Sequence, residues 1–153
     1  MDDGYPIASE ALDLEAYTLA ALVAGSAVLR REERGKMALA WARRTFEYSE
    51  ISRRLVGLAV LLRSTLDATG RDGSDVVGEL VADVDHPEVI ADLTLREACN
   101  KIIHARQVDL SPGPVRELPP VGNRFVLEGQ YRDKVWRATL DVFTFLGSAS
   151  LRF

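Results

Sequence analysis

The sequence feature that most constrains this fold is the stretch from Lys36 to Ala68, which contains no proline and one glycine, Gly57. Its apolar residues recur at steps of four and three, which is the spacing of one side of an α-helix. They are Ile51, Leu55, Leu58, Leu62 and Leu66, and the pattern extends upstream through Met37, Leu39, Trp41 and Phe46. The stretch predicts one long helix, or two helices broken near Ser49. The glycine-rich residues 69–73 predict its end.

A second helix is predicted upstream, where residues 16–29 form the longest uncharged run of the chain. Ser9 is positioned to cap this helix. Apolar residues cover nearly every side of it, which is typical of a central bundle helix or of a subunit interface. A bilayer span needs about 20 apolar residues, so the shorter run predicts the core helix of a soluble protein with no membrane contact. The apolar surface also predicts a homodimer.

The composition is that of a globular domain and excludes several classes of protein. The chain has 153 residues, of which 47% are hydrophobic and 27% charged, so it can bury a core without metals or disulfides. Cys99 is the only cysteine, which excludes an intrachain disulfide and indicates a reducing, cytoplasmic location. The acidic start, Met-Asp-Asp-Gly, does not resemble a signal peptide. A net charge of −4 argues against a broad nucleic-acid-binding surface.

The segment from Asp72 to Asp92 carries seven acidic residues and no Lys or Arg. Ser74 could cap a short helix in it, and Pro87 is expected to interrupt that helix. Two interpretations of the carboxylates are a solvated acidic face and a metal site. Their spacing does not match an EF-hand loop, and no His lies at helical spacing to complete a transition-metal site. We therefore expect a solvated face, with no metal and no cofactor.

The C-terminal half begins with a specific helix-start signal. Thr94 and Glu97 form a T-x-x-E capping box, which predicts a helix from Leu95 to about Arg106. Two strands, 124–129 and 135–140, are expected to form a hairpin around the polar turn 130–134, and residues 108–110 could add an edge strand. Asp141 could cap a terminal helix over 142–150, or the second strand could continue instead.

These elements predict an α+β fold that is mainly α. A bundle of about four helices is joined to a small C-terminal antiparallel β-hairpin or meander. We expect one domain over residues 1–153, in which 1–107 form the helical bundle and 108–153 form the hairpin and a terminal segment that packs on it.

The helix predicted from Leu95 carries the residues best suited to chemistry. Arg96, Asn100 and His104 are spaced by four, so successive side chains are rotated by about 40° and lie on one stripe of the helix. A histidine can act as general acid or base near neutral pH. Asparagine can orient its ring or bind a substrate oxygen, and arginine can stabilise negative charge on a phosphate.

The same segment, Leu-Arg-Glu-Ala-Cys-Asn-Lys-Ile-Ile-His-Ala from Leu95 to Ala105, resembles the signature helix of HEPN domains. HEPN domains (higher eukaryotes and prokaryotes nucleotide-binding) are compact helical bundles, commonly dimeric, and many are metal-independent endoribonucleases of defence and RNA-processing systems. Their motif is an arginine, a polar residue directly after it, and a histidine a little over one turn later. Asn100 and His104 match the last two positions. The resemblance implies that His104 would assist attack of a ribose 2′-hydroxyl on the adjacent phosphate.

This sequence departs from the HEPN motif at Cys99, which stands where the family has arginine; Arg96 lies nearly one turn earlier. Two functions therefore remain open. One is a HEPN-like intracellular protein that handles RNA through a degenerate endoribonuclease site formed by Arg96, Asn100 and His104. The other is a non-enzymatic, dimeric interaction module in which the same residues hold the fold together. RNA and a protein are the partners that these hypotheses imply.

Two further features have a structural and a functional interpretation. The pairs Arg43-Arg44 and Arg53-Arg54 could form a basic strip that contacts phosphates, or ordinary ion pairs with Glu47 and Glu50 at four-residue spacing. We expect the ion pairs. Trp136 could stack on a base, but we expect it to pack the hairpin against the helices.

Overall fold

The computed structural model describes residues 4–110 and 124–150, with side chains from residue 10 onward. Within those ranges, four helices and five strands follow one another along the chain. Their order is α1 (Gly4–Glu32), α2 (Met37–Thr69), β1 (Val76–Val81), β2 (Ala91–Thr94), α3 (Leu95–His104), β3 (Gln107–Asp109), β4 (Arg124–Tyr131), β5 (Lys134–Asp141) and α4 (Val142–Ala149).

The two long helices, α1 and α2, form a hairpin through a short turn. α2 is continuous, so of the two predictions for this stretch the single long helix is confirmed. It ends, as predicted, at the glycine-rich turn, where Gly70 adopts a left-handed backbone with φ of 69°. The predicted cap at Ser9 is wrong, because α1 already begins at Gly4. Pro6 fits in that first turn because N–H groups there have no partner within a helix.

The five strands form one antiparallel sheet in the order β2-β1-β5-β4-β3. The predicted hairpin is present as β4 and β5, and the predicted edge strand as β3. The sheet is nevertheless larger than a C-terminal hairpin or meander, because β1 and β2 come from residues 76–94. The expected division of the chain at residue 107 therefore does not separate helices from strands.

The short helix predicted to begin at Ser74 is wrong. Residues 76–81 read Val-Val-Gly-Glu-Leu-Val and form β1, and β2 follows after a turn that contains Pro87. β-branched side chains favour a pleated surface, and a sheet with one face in water accepts acidic side chains on that face. Glu79 of β1 and Asp92 of β2 are such exposed residues, directly opposite each other. The seven acidic residues between 72 and 92 therefore obscured the apolar pattern of β1 in the sequence.

The other face of the sheet is covered by α3 and α4, which also contact the α1–α2 hairpin. Both short helices begin at the predicted caps: Thr94 accepts a hydrogen bond from the Glu97 amide, and Asp141 from the Thr144 amide. Helix α4 confirms one of the two alternatives for the terminal segment. One hydrophobic cluster contains buried residues of all four helices and of strands β1, β2, β4 and β5.

Helix α1 is buried along one side only, which corrects the expectation of a core helix. Leu12, Ala16, Leu19 and Val23 are buried, whereas Tyr17 is 73% exposed. By length and composition, residues Glu10–Glu32 could also cross a membrane. Such a stretch is equally found in helices of soluble proteins and in signal sequences, so the finding identifies an apolar helix and no more.

The closest approach of backbones in the sheet predicts one stability difference. A Cβ atom on Gly78 of β1 would collide with the backbone carbonyl of Thr139 on β5, whereas one on Gly57 of α2 would meet nothing within 4 Å. We expect Gly78→Ala to lower the free energy of unfolding by about 1–3 kcal/mol, since β5 must shift. Gly57→Ala should raise it by about 0.5–1 kcal/mol through helix propensity. Urea unfolding of both variants measures this, and an unchanged midpoint for Gly78→Ala would contradict the register.

Candidate functional site

The candidate site lies on α3, whose first turn is fixed by three backbone contacts. The Leu95 amide donates to the Asp75 carbonyl (2.7 Å), the Arg96 amide to the Gly73 carbonyl (3.0 Å), and the Glu97 amide to the Thr94 hydroxyl (3.3 Å). These are the N–H groups that a helix start leaves without partners. The α2–β1 connection and the Thr94 side chain accept all three, so none of these N–H groups is free to bind an anionic ligand.

Each nitrogen of the Arg96 guanidinium donates a hydrogen bond to the last turn of α2 or to the connection between α2 and β1. Its Nε donates to the Asp72 carbonyl (3.0 Å) and its second Nη to the Arg71 carbonyl (3.0 Å). Its first Nη pairs with Asp67 at 2.5 Å. This pairing lowers the pKa of the Asp67 carboxyl, chiefly through the hydrogen bond from Arg96. Three of the five N–H donors of Arg96 are thus bonded to the chain, and these contacts hold its guanidinium against residues 67–72.

Asn100 lies one turn further along α3 and is half-buried. Its Oδ1 is shielded from solvent and accepts no hydrogen bond from any residue that the structure describes. A buried acceptor without a partner costs about 1–3 kcal/mol. This oxygen is therefore a buried acceptor of the predicted trio without a donor among the described residues.

His104 is the last residue of α3, and its ring is exposed. It forms no hydrogen bond or ion pair within residues 4–110 and 124–150. At 1.5 Å of rise per residue, about 12 Å of helix separates it from Arg96 and about 6 Å from Asn100. The helix thus presents the three predicted residues along one stripe, with Asn100 and His104 as its uncommitted members.

Cys99 packs into the core at the position where the HEPN motif has arginine. It is fully buried, and burial raises the pKa of its thiol to about 12, although Arg63 and Arg96 oppose that shift electrostatically. A thiol with this pKa stays protonated at neutral pH and is a poor nucleophile. Cys99 therefore acts as a structural residue of the core.

A cavity of about 280 Å³ lies between the α1–α2 hairpin and residues 107–110, and Arg30, Glu47 and Tyr48 complete its wall. The stripe on α3 contributes no residue to this cavity. Within the described part of the chain, no group of three or more His, Cys, Asp or Glu side chains could hold a metal ion. Enzyme sites are usually concave, whereas Asn100 and His104 lie on a helix surface.

A polar cluster between α1 and α2 was not predicted from sequence. Arg43 pairs with Glu33 (2.5 Å) and Glu47 (3.0 Å), and Glu47 also pairs with Arg30 and with the Ser26 hydroxyl. Hydrogen bonding to Glu33 raises the pKa of Arg43, and the same bond lowers the pKa of Glu33. Spacing by four predicted the Arg43–Glu47 pair, but the partners on α1 are remote in sequence.

Three of the four arginines in the two pairs on α2 form ion pairs within the hairpin, namely Arg43, Arg53 and Arg54. Arg54 pairs with Glu15 of α1 (3.3 Å) and with Glu50 (3.7 Å), and Arg53 with Glu50 (2.9 Å). These contacts confirm the predicted ion pair between Glu50 and Arg54. Trp136 is buried with Lys101 over its ring at 4.5 Å, so it packs the hairpin against α3 as expected.

The Arg96 contacts predict a stability loss that depends on pH. Arg96→Gln should lower the free energy of unfolding by about 1–3 kcal/mol at pH 7, because charged hydrogen bonds are lost. Arg53→Gln is the control, since the exposed Arg53 side chain pairs with Glu50 of its own helix, and its loss should lower the free energy of unfolding clearly less than Arg96→Gln does.

The Asp67 part of the Arg96 effect has a defined sign. The pKa of Asp67 is lower in the folded protein than its ordinary value of 3.8, so this contribution is complete above pH 3.8 and is lost as the pH falls through the lowered value. Urea unfolding at pH 7 and at pH 3 should therefore show a smaller difference between wild type and Arg96→Gln at pH 3. A difference that grows on acidification would contradict the ion pair.

No protein-family model, curated protein or solved structure matches this chain. The resemblance to HEPN domains accordingly concerns the residues from Leu95 to Ala105 alone. Within them the described geometry leaves Asn100 and His104 available to a ligand, and uses Arg96 and Cys99 for the fold.

Proposed function

We propose that this protein is a HEPN-like interaction module that acts as a homodimer and does not itself cleave RNA. The observation that carries this proposal is the exposed apolar side of α1, opposite its buried side. Leu14 is 63% and Val28 47% exposed, and Tyr17 lies between them. Contiguous exposed apolar surface marks a site of association in proteins.

Helix α2 adds further apolar surface near the turn of the hairpin. Met37 is 87% exposed and Trp41 64% exposed, and Trp41 meets Phe46 edge-to-face with ring centroids 6.0 Å apart. Met and Trp are enriched in the centres of protein interfaces. Between residues 24 and 50 the only buried residue is Ala40, so this end of the hairpin stands clear of the core and offers both helices to a partner.

The state of α3 argues against cleavage by this protein. The arginine of the HEPN motif is replaced by the buried Cys99, and Arg96 is held by three contacts to residues 67–72. Stabilisation of a transition-state phosphate requires a cation aimed at it. Neither residue provides one in this geometry.

Light scattering at micromolar concentration tests the dimer. We expect twice the chain mass for the wild type and a shift towards monomer for Val28→Glu, since a carboxylate would have to be buried at the interface. Val60→Glu is the matched control, because Val60 is also a valine on a helix exterior and is also 47% exposed, but lies on α2. A monomeric wild type, or equal losses in both variants, would overturn the proposal.

A second candidate function, RNA handling at α3, is favoured by one specific observation. The unpartnered Asn100 oxygen and the exposed His104 ring lie one turn apart. The imidazole could accept or supply a proton, and a ribose hydroxyl that reached the solvent-shielded amide oxygen could donate to it. Cleavage at this site would also require a cation near the phosphate that does not come from Arg96, Asn100 or His104 in the described geometry.

Incubation of a mixed single-stranded and structured RNA pool in EDTA separates the two functions. We expect no cleavage by the wild type or by His104→Ala. Because the His104 ring is exposed, this substitution should change the free energy of unfolding by less than about 0.5 kcal/mol. A loss of activity could therefore not be ascribed to misfolding. Cleavage by the wild type that His104→Ala abolishes would replace the first proposal with a metal-independent ribonuclease.

A further inference from the structure

The exposed side of α1 has the spacing of a coiled-coil seam. Five exposed residues, at steps of three, four, three and four, run along it; they are Leu14, Tyr17, Ala21, Ala24 and Val28. Alternating steps of three and four keep side chains in line along a helix and fit them between those of a second helix. The seam is about 21 Å long. The surface is therefore shaped for another helix.

The seam itself carries one polar group, the Tyr17 hydroxyl, and the neighbouring Thr18 hydroxyl is already satisfied. The Thr18 hydroxyl donates to the Leu14 carbonyl of its own helix at 2.8 Å. Ala21 and Ala24 lie at the middle of the seam. Their small methyl side chains let two helix backbones approach closely. A partner helix would thus meet small apolar side chains at the centre, flanked by the larger side chains of Tyr17 and Val28.

The two ends of the seam carry opposite charges. One step beyond Leu14 in the same pattern is Glu10, and one step beyond Val28 is Arg31. Both are exposed, and neither forms an ion pair within the described residues. Glu10 and Arg31 are eleven and ten residues from Ala21, so they lie almost symmetrically about the centre.

We infer that the seam binds the α1 helix of a second copy of this chain in antiparallel orientation. In that arrangement Leu14 lies opposite the partner's Val28, the two Ala21 residues meet near the twofold axis, and Glu10 approaches the partner's Arg31 at both ends. A parallel pair would instead place Glu10 against Glu10 and Arg31 against Arg31, which repel. This inference rests on the proposed homodimer and specifies its interface and direction.

Cysteine crosslinking tests the direction. Leu14→Cys and Val28→Cys are prepared separately and mixed, and Ala21→Cys is prepared alone, each oxidised with copper phenanthroline. We expect a covalent dimer from Ala21→Cys and from the 14/28 mixture, and at least tenfold less from Leu14→Cys or Val28→Cys alone. The buried native thiol, Cys99, should remain free in all samples, and wild type treated in the same way provides the control.

The outcomes distinguish this inference from the proposed function. A dimer by light scattering in which Leu14→Cys crosslinks to itself would keep the homodimer and overturn the antiparallel seam. A dimer in which none of these cysteines crosslinks would place the interface elsewhere and also overturn it. A wild type that is still monomeric at about 100 µM, where a dimer with a micromolar dissociation constant would be formed, would overturn both the homodimer and the antiparallel seam. If that monomer co-sediments with phosphatidylcholine vesicles, the seam would belong to a membrane surface.

Charge reversal provides an independent readout that needs no cysteine. Glu10→Lys and Arg31→Glu should each raise the dimer dissociation constant by about threefold to tenfold. Each substitution would remove two partly exposed ion pairs, because the twofold axis places one pair at each end of the seam. The double variant re-forms the pair with its signs exchanged, and its dissociation constant should return towards that of the wild type. Additive losses in the double variant would overturn the pairing of Glu10 with Arg31.

Discussion

The fold depends most on the contacts of the Arg96 guanidinium, because they fix where the chain leaves the helical hairpin and enters the sheet. Arg96 ties the start of α3 to the last turns of α2 and to the loop before β1, through Asp67, Arg71 and Asp72. Backbone bonds from α3 to residues 73 and 75 lock the same junction. Once this junction is set, the inner side of α3 meets the sheet and its outer stripe faces away. The chemistry open to Asn100 and His104 follows from that orientation.

The local signals in the sequence predicted the C-terminal half well because their causes are local. The Thr94 and Asp141 caps act over three residues, and the β4–β5 hairpin closes over a short polar turn, so neighbours in sequence determine each. Strands β1 and β2 were not predicted, since their acidic residues are tolerated only because the sheet leaves one face in water. Nor could the sequence reveal that Arg96 reaches residues more than twenty positions away, and this contact decides whether it can act on a substrate.

The hairpin of α1 and α2 has an inverted distribution of polarity at its free end. Its interior holds charged residues, with Arg43, Glu33 and Glu47 each only about 14–15% exposed, whereas Met37, Trp41 and Val28 lie outside. An isolated pair of helices is most stable with the opposite arrangement. Because the charged side chains pair with one another between the two helices, the apolar side chains lie on the outer surface of the hairpin. The hairpin is therefore better suited to association than to standing alone in water.

Self-association through α1 would also affect the candidate RNA site, by a route that the fold defines. The buried side of α1 packs against α2, and α2 carries Asp67, the carboxylate that holds Arg96. A dimer that clamps α1 would hold α2 in place and favour the state in which Arg96 is bound to the chain. An RNA phosphate would have to compete with Asp67 and two carbonyl groups for the same guanidinium. The proposed dimer would thus disfavour cleavage, and this makes the dimeric, non-catalytic module the more consistent of the two proposed functions.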